Sequence, residues 1–121
     1  MADLLRWGAA LGFALALGCG GGGTPEASSA DVVQLVENGA ILLDVRTPSE
    51  FADGHVDGAV NVPVQELESR VSELDASRPV VVYCRSGNRS ATAASILRER
   101  GFEVTDLGPM SAWPNADEIV R

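Results

Sequence analysis

At 121 residues, with a formal charge of -8 and 45% hydrophobic content, the chain has material for one modest domain plus a leader or tail, which excludes a large multidomain enzyme. Its nine basic residues are all arginine, are outnumbered by seventeen acids and form no cluster, so the electrostatic attraction that nucleic-acid binding requires is missing. Two cysteines allow at most one internal disulfide, and the fold must therefore rest on an apolar core.

Residues Trp7 to Leu17 (WGAALGFALAL) carry no charge, and Cys19 is followed by Gly20, Gly21, Gly22 and Gly23. A run of 11 apolar residues falls well short of the roughly 18 to 20 needed to cross a bilayer as a helix, and it fits the core of a signal peptide. Residues 1–18 are accordingly expected to direct export. Two ways of processing them stay open. Ala14-Leu15-Ala16 has the small-x-small pattern of an ordinary signal peptidase site, which would leave Cys19 as a thiol near the new terminus of a soluble protein. Alternatively, Gly18-Cys19 resembles a bacterial lipobox, although Ala16 stands where leucine is usual. Cys19 would then be lipidated, residues 19–30 would form a Gly-rich tether, and the protein would be a membrane-anchored periplasmic lipoprotein. Lipidation would leave Cys84 as the lone thiol in a compartment where paired cysteines are the norm.

From residue 31 to residue 121 the pattern alternates between helical and strand-like segments, the order of an α/β domain. Val32, Val33, Leu35 and Val36 share one helical face, with Ser28 or Ser29 as cap and Gly39 past the end. Ile41 to Val45 reads as a short strand. Thr47-Pro48-Ser49-Glu50 then combines a capping residue, proline at the first helical position and glutamate at the third, which predicts a short helix from Pro48 to about Asp53, ended by Gly54. Ala59 to Val62 is a further strand, and Leu67, Val71 and Leu74 mark the inner face of the next helix. Pro79 to Cys84 (PVVVYC) is the clearest strand, of the type buried on both faces of a parallel sheet. An alanine-rich helix is predicted over Ser90 to Arg100, a strand over Val104 to Leu107, and a weak terminal helix over Ala112 to Val120.

The chemically informative arrangement is a buried strand ending in Cys84, then Arg85-Ser86-Gly87-Asn88-Arg89, then a helix start near Ser90. Ligands of open α/β sheets bind outside the carboxyl ends of the strands, where this loop lies. Successive backbone N–H groups curled around a sulfur at a helix amino terminus make a partly positive cradle. Gly87 permits the tight curl, and Arg85 and Arg89 add full positive charge at the mouth. A cysteine in that setting is expected to be thiolate, the nucleophilic form, whereas the same residue without these neighbours would read as ordinary core.

The motifs resemble the rhodanese family over nearly all of the domain. Asp44-Val45-Arg46 with Glu50-Phe51, and Gly54-His55-Val56-Asp57-Gly58-Ala59-Val60-Asn61-Val62-Pro63, are similar to its amino-terminal signature. Val81 to Ser90 is similar to its active-site strand and loop, and Gly101-Phe102, Val104 to Leu107 and Trp113 to its closing segment. The resemblance implies an α/β fold with about five mainly parallel strands and helices on both faces. It also implies double displacement: the thiolate takes sulfur from a donor such as thiosulfate, sulfite leaves, and a thiol or cyanide then accepts the sulfur from a Cys84 persulfide. Carried onto this chain, Cys84 is the nucleophile, the N–H groups of Arg85, Ser86, Gly87, Asn88 and Arg89 stabilise the persulfide, and Arg85 and Arg89 guide the anionic donor. Asp44 is expected to brace backbone or an arginine near the active loop, Arg46 and Glu50 to form a local ion pair, and His55 to fix a turn rather than to catalyse. One family feature differs: Gly108-Pro109 stands where paired glycines are common.

Two rival readings remain. Phosphatases and arsenate reductases also hold a cysteine thiolate in an N–H cradle, but with five residues between cysteine and arginine; here four separate Cys84 from Arg89, a loop better sized for a single sulfur. A non-enzymatic persulfide carrier or redox-sensing module would use the same cradle. The reading calls for no cofactor, and one histidine with one free cysteine gives no metal-ligand cluster. The expected partners are a small sulfur donor and a thiol acceptor, met by a monomer.

Overall fold

The computed structural model describes residues 29–121, so the export signal, Cys19 and the tether up to residue 28 lie outside the described residues, whereas Ser29 and Ala30, expected in the tether, already belong to the first helix. Helix α1 (Ser29–Glu37) leads through Gly39 into strand β1 (Ile41–Asp44), and helix α2 (Pro48–Asp53) follows. Its predicted start is present in full: the Thr47 hydroxyl accepts from the Glu50 N–H at 3.1 Å, and the Glu50 carboxylate accepts from the Thr47 N–H at 3.0 Å. This reciprocal box satisfies donors that six residues of helix could not satisfy internally. Short strands β2 (His55–Val56) and β3 (Val60–Asn61) come next.

The helix expected around Leu67, Val71 and Leu74 is broken into a 3-10 turn, the short helix α3 (Leu67–Arg70) and a second 3-10 turn. Strand β4 (Val80–Cys84) is buried at all five positions, and helix α4 (Asn88–Glu99) begins two residues before the predicted start. Strand β5 (Val104–Pro109) runs beyond its predicted end. The predicted terminal helix is absent: Pro114 falls inside it, and the segment instead forms two 3-10 turns and strand β6 (Ile119–Val120).

Strands β3, β1, β4 and β5 lie in that order in one sheet, every neighbouring pair parallel. The α/β class is the expected one, but this sheet has four strands rather than about five; β2 and β6 form a separate antiparallel pair. Successive residues of β1 and β4 point to opposite faces and divide the core in two. Ile41, Leu43, Val80, Val82 and Cys84 pack with Leu67 of α3 and Ala93, Ala94 and Leu97 of α4. Leu42, Val81 and Tyr83 pack with Val32 of α1, Val56 of β2 and Trp113. Each fully buried valine of β4 stabilises the fold by roughly 1.5 kcal/mol or more. Covering both faces leaves the carboxyl ends of the strands as the open edge.

Candidate active site

Cys84 is the last residue of β4 and faces α4, with no accessible surface of its own. The chain turns back over the sulfur through Gly87, whose φ of +103° a side chain would rarely tolerate. That turn aims the Gly87 N–H at Cys84 Sγ, 2.9 Å away. Burial pushes the Cys84 thiol up; the N–H and hydroxyl of Ser90 and the N–H groups of Gly87 and Ser86 together outweigh it, so the thiol sits below its ordinary value. The twelve-residue helix α4 adds the positive end of its dipole at the same place. Ser90 is fully buried, and its hydroxyl also donates to the Gly87 carbonyl at 3.1 Å. With one proton to give, that hydroxyl has two acceptors within reach, the loop carbonyl and the sulfur, and donates to one of them at a time. The role of Ser90 as a donor is not evident from the pattern alone; its one signal is a small hydroxyl residue near the helix start, one position after the loop arginine.

The two arginines assigned to the mouth behave differently. Arg89 is held in a fork by Glu50, with Nη1 to Oε1 at 2.8 Å and Nη2 to Oε2 at 3.0 Å. The Arg89 guanidinium, helped by the Thr47 N–H, lowers the Glu50 carboxyl to about 2. Arg85 is exposed and forms no ion pair or hydrogen bond with the other described residues. The expected Arg46–Glu50 pair does not form. Instead Arg46 turns back onto Asp44, which accepts from its backbone N–H at 2.9 Å, from Nε at 3.0 Å and from Nη2 at 2.6 Å. Arg46 Nη2 also donates to the Gly54 carbonyl at 2.7 Å, so the buried pair of Asp44 and Arg46 ties the end of β1 to the end of α2.

His55 lies in β2 with its ring stacked on Phe51, centroids 3.6 Å apart, and its Nδ1 is 2.8 Å from the Phe51 carbonyl. Those contacts join β2 to α2 and commit the ring to the scaffold. Asn61 supplies a brace that the pattern alone did not single out, donating to the carbonyls of Asp44 at 3.0 Å and Arg46 at 2.9 Å. Opposite the loop, a bulge between Val82 and Tyr83 shifts β5 so that Gly108 pairs with Tyr83 and Pro109 with Cys84. A Cβ on Gly87 would lie 3.8 Å from Gly108 Cα and 3.9 Å from Pro109 Cδ, so the end of β5 is the wall of the loop. A pocket of about 350 Å³ opens beside it, with Arg85 and Met110 among its lining residues.

Comparison with known proteins settles the ancestry of this arrangement. The Rhodanese-like domain family model matches residues 28–116, which include every element from α1 to β5. The chain belongs to the rhodanese-like family. Thiosulfate sulfurtransferase GlpE of Shewanella oneidensis is 38% identical over 89 residues, 71% of this chain and 88% of that protein. Protein YqhL of Bacillus subtilis is 45% identical over 76 residues, 61% of this chain and 60% of its own length. Among solved structures, reduced Bacillus anthracis CoADR-RHD superposes with a TM-score of 0.72 at 30% identity, covering 79% of this chain and 18% of that one. The chain thus spans little over half of YqhL and under a fifth of the B. anthracis chain, while it matches most of the S. oneidensis protein.

Proposed function

We propose that the domain is a sulfurtransferase that moves a sulfane sulfur from an anionic, thiosulfate-like donor to a thiol or cyanide through a persulfide on Cys84. The observation that carries this reading is the Gly87 N–H aimed at Cys84 Sγ at 2.9 Å, inside a loop whose other donors also favour the thiolate. The thiolate attacks the outer sulfur of the donor, the donor's S–S bond breaks, and its electron pair leaves with sulfite. The persulfide keeps one negative charge, for which the N–H cradle substitutes fixed dipoles for water. Arg85 is the cation left to draw the anionic donor in, because Arg89 is held by Glu50. The kinship with a thiosulfate sulfurtransferase supports the same donor class.

The phosphatase reading is weaker on geometry. It needs a guanidinium facing a tetrahedral oxyanion, whereas Arg89 is bound by a carboxylate and buried Ser90 follows it. To test the proposal, the domain is incubated with thiosulfate, freed of small molecules and weighed intact, then given cyanide. A mass gain of one sulfur followed by thiocyanate release is expected, and Cys84→Ser should lose both by at least about a thousandfold. Absence of the added sulfur and of thiocyanate in the wild type would falsify the enzyme; a persulfide that never transfers would make the domain a carrier.

We also propose that the domain works outside the cytoplasm, held to a membrane by lipid on Cys19. The uncharged run from Trp7 to Leu17 and the Gly18-Cys19 step support this. Wild type should partition with membranes and Cys19→Ala with the soluble fraction; identical soluble behaviour of the two sinks the anchor.

A further inference from the structure

A second cleft, of about 210 Å³, opens between α1 and the closing segment of the chain. Its walls come from three stretches far apart in sequence: Val33, Val36 and Glu37 of α1, Asp57 in the turn between β2 and β3, and Trp113 with Glu118. Helix α1 packs on Leu42, Val81 and Tyr83, whereas Cys84 faces α4, so the cleft and the sulfur lie on opposite faces of the sheet. Two contacts fix its shape. The Asp57 N–H donates to the Glu118 carbonyl at 2.7 Å, and Trp113 Nε1 donates to Glu118 Oε1 at 3.0 Å. The space is smaller than the several hundred Å³ of a typical cofactor pocket and suits a single long side chain.

Trp113 is buried and Val33 and Val36 are half-buried, while Glu37 and Asp57 are exposed, so apolar side chains floor the cleft and carboxylates rim it. No basic group stands among the described residues that line it. The carboxylates of Glu37 and Asp57 form no ion pair or hydrogen bond with the other described residues, and that of Glu118 is engaged through one oxygen only. On α3 and the turns beside it, by contrast, neighbouring carboxylates share an arginine: Arg70 pairs with Glu66 and with Glu73, each at 3.1 Å. At the cleft the three carboxylates converge without one, on a chain whose formal charge is already -8. A cation arriving from outside relieves their mutual repulsion, and it gains more above an apolar floor than on open surface.

We propose that this cleft is a docking site for a partner protein, which it holds by taking in one of the partner's arginine side chains. The methylene stem lies over Val33 and Val36, and the guanidinium lies at the rim. Its planar fork of N–H donors serves carboxylates that reach it from three separate segments, which the point charge of a lysine does less well. A small free cation gains little at such a place, because exposed ion pairs are individually weak. An arginine carried on a polypeptide adds apolar contacts on either side of the cleft to those pairs. The site is independent of the sulfurtransferase reading: it keeps a partner beside the domain whatever Cys84 does.

The test adds three probes to the isotope-labelled full-length protein: a capped pentapeptide with one arginine between two leucines, the same peptide with neutral citrulline in place of arginine, and spermidine. The arginine peptide should shift the amide resonances of Val36, Glu37 and Asp57 and the indole N–H of Trp113, saturating at roughly millimolar concentration or below. The citrulline peptide should bind about tenfold more weakly, the sum of several exposed charge pairs. Asp57→Asn and Glu37→Gln should each weaken the arginine peptide about threefold. Glu37→Lys supplies a cation from within, at the carboxyl end of α1 where a cation is well placed, and should abolish binding with thermal stability at or above that of wild type. Cys84→Ser should bind the peptide as wild type does, so failure of the enzyme and failure of the docking site read separately. A citrulline peptide that binds equally well, or no shift at the cleft, overturns the proposal. So do shifts spread over Glu66 to Glu73, which would make the attraction unspecific, and spermidine that binds as tightly as the peptide, which would make the cleft a site for small polycations.

Discussion

From the end of β1 the chain meets Asp44, Arg46 and Glu50, and each of these charges is engaged by another side chain: Asp44 with Arg46, Glu50 with Arg89. From the end of β4 it meets Cys84, Ser86, Gly87 and Ser90, and the donors that face the sulfur are three backbone N–H groups and one hydroxyl. Both loops leave the same edge of one parallel sheet. The β1 loop uses full charges, in fixed pairs, to set the position of the elements around it. The β4 loop uses partial charges, which cost less to bury than ions and can all be aimed at a single atom. Glu50 is where the two meet, since it caps α2 at one end and holds the loop arginine at the other.

The sharpest way to break that contrast is to disturb the aim of the dipoles. Gly87→Ala puts a side chain at a φ of +103°, which should cost about 1–2 kcal/mol in thermal or denaturant unfolding. If the loop relaxes to relieve the strain, the N–H leaves the sulfur and persulfide formation should fall roughly a hundredfold, the scale of losing one aimed donor. Unchanged kinetics in a destabilised protein would mean that the N–H contributes nothing to the reaction.

A smaller effect is expected from Ser90→Ala. The Cys84 thiol is lowered in the folded protein, so the thiolate, and with it the rate of persulfide formation, is gained as pH rises through a midpoint below that of a free thiol. Removing the hydroxyl should move that midpoint upward. The rate on the acid side should drop by about fivefold to tenfold, and the two profiles should converge at high pH. A pH profile of the first half-reaction checks this, and parallel displacement at every pH would instead point to a packing defect.

The smallest effect belongs to the fixed charges. Glu50→Gln should lower stability by about 1 kcal/mol at neutral pH, because the Glu50–Arg89 pair is only partly buried. The folded-state value of about 2 lies below the ordinary 4.5. The contribution of Glu50 is therefore present above the ordinary value and is lost as pH falls toward about 2. Denaturant midpoints measured along an acid series should show wild type and Glu50→Gln approaching each other in that window.

Most of the scaffold was legible because its signals are local. The Thr47-Pro48-Ser49-Glu50 cap and the continuous apolar run of β4 specify their elements within a few residues, and both occur where expected. The segment after Gly108 was misread because its signal is not local: Ile119 and Val120 are extended through pairing with His55 and Val56, far away in the chain. The ion pairs failed in the same way. Arg46 and Glu50 sit four apart and invite a local pair, but Glu50 is turned toward Arg89, 39 residues on, by a sheet order that the sequence alone leaves open. In the candidate site, the positions of Cys84 and Gly87 could be anticipated from a strand, a glycine and a helix start. The division of labour between Arg85 and Arg89 could not, since it depends on which one a distant carboxylate reaches.

The absence of any accessible surface on Cys84 bears on how such a sulfur survives. A low-pKa thiolate is the form that peroxides oxidise, first to a sulfenic acid that a neighbouring cysteine can rescue as a disulfide and then to states that are not recovered. Cys84 is the only cysteine among the described residues, so no resolving partner stands beside it there. Enclosure takes over that duty: the loop that covers the sulfur limits what can reach it, and the donors of that same loop favour the thiolate over the thiol.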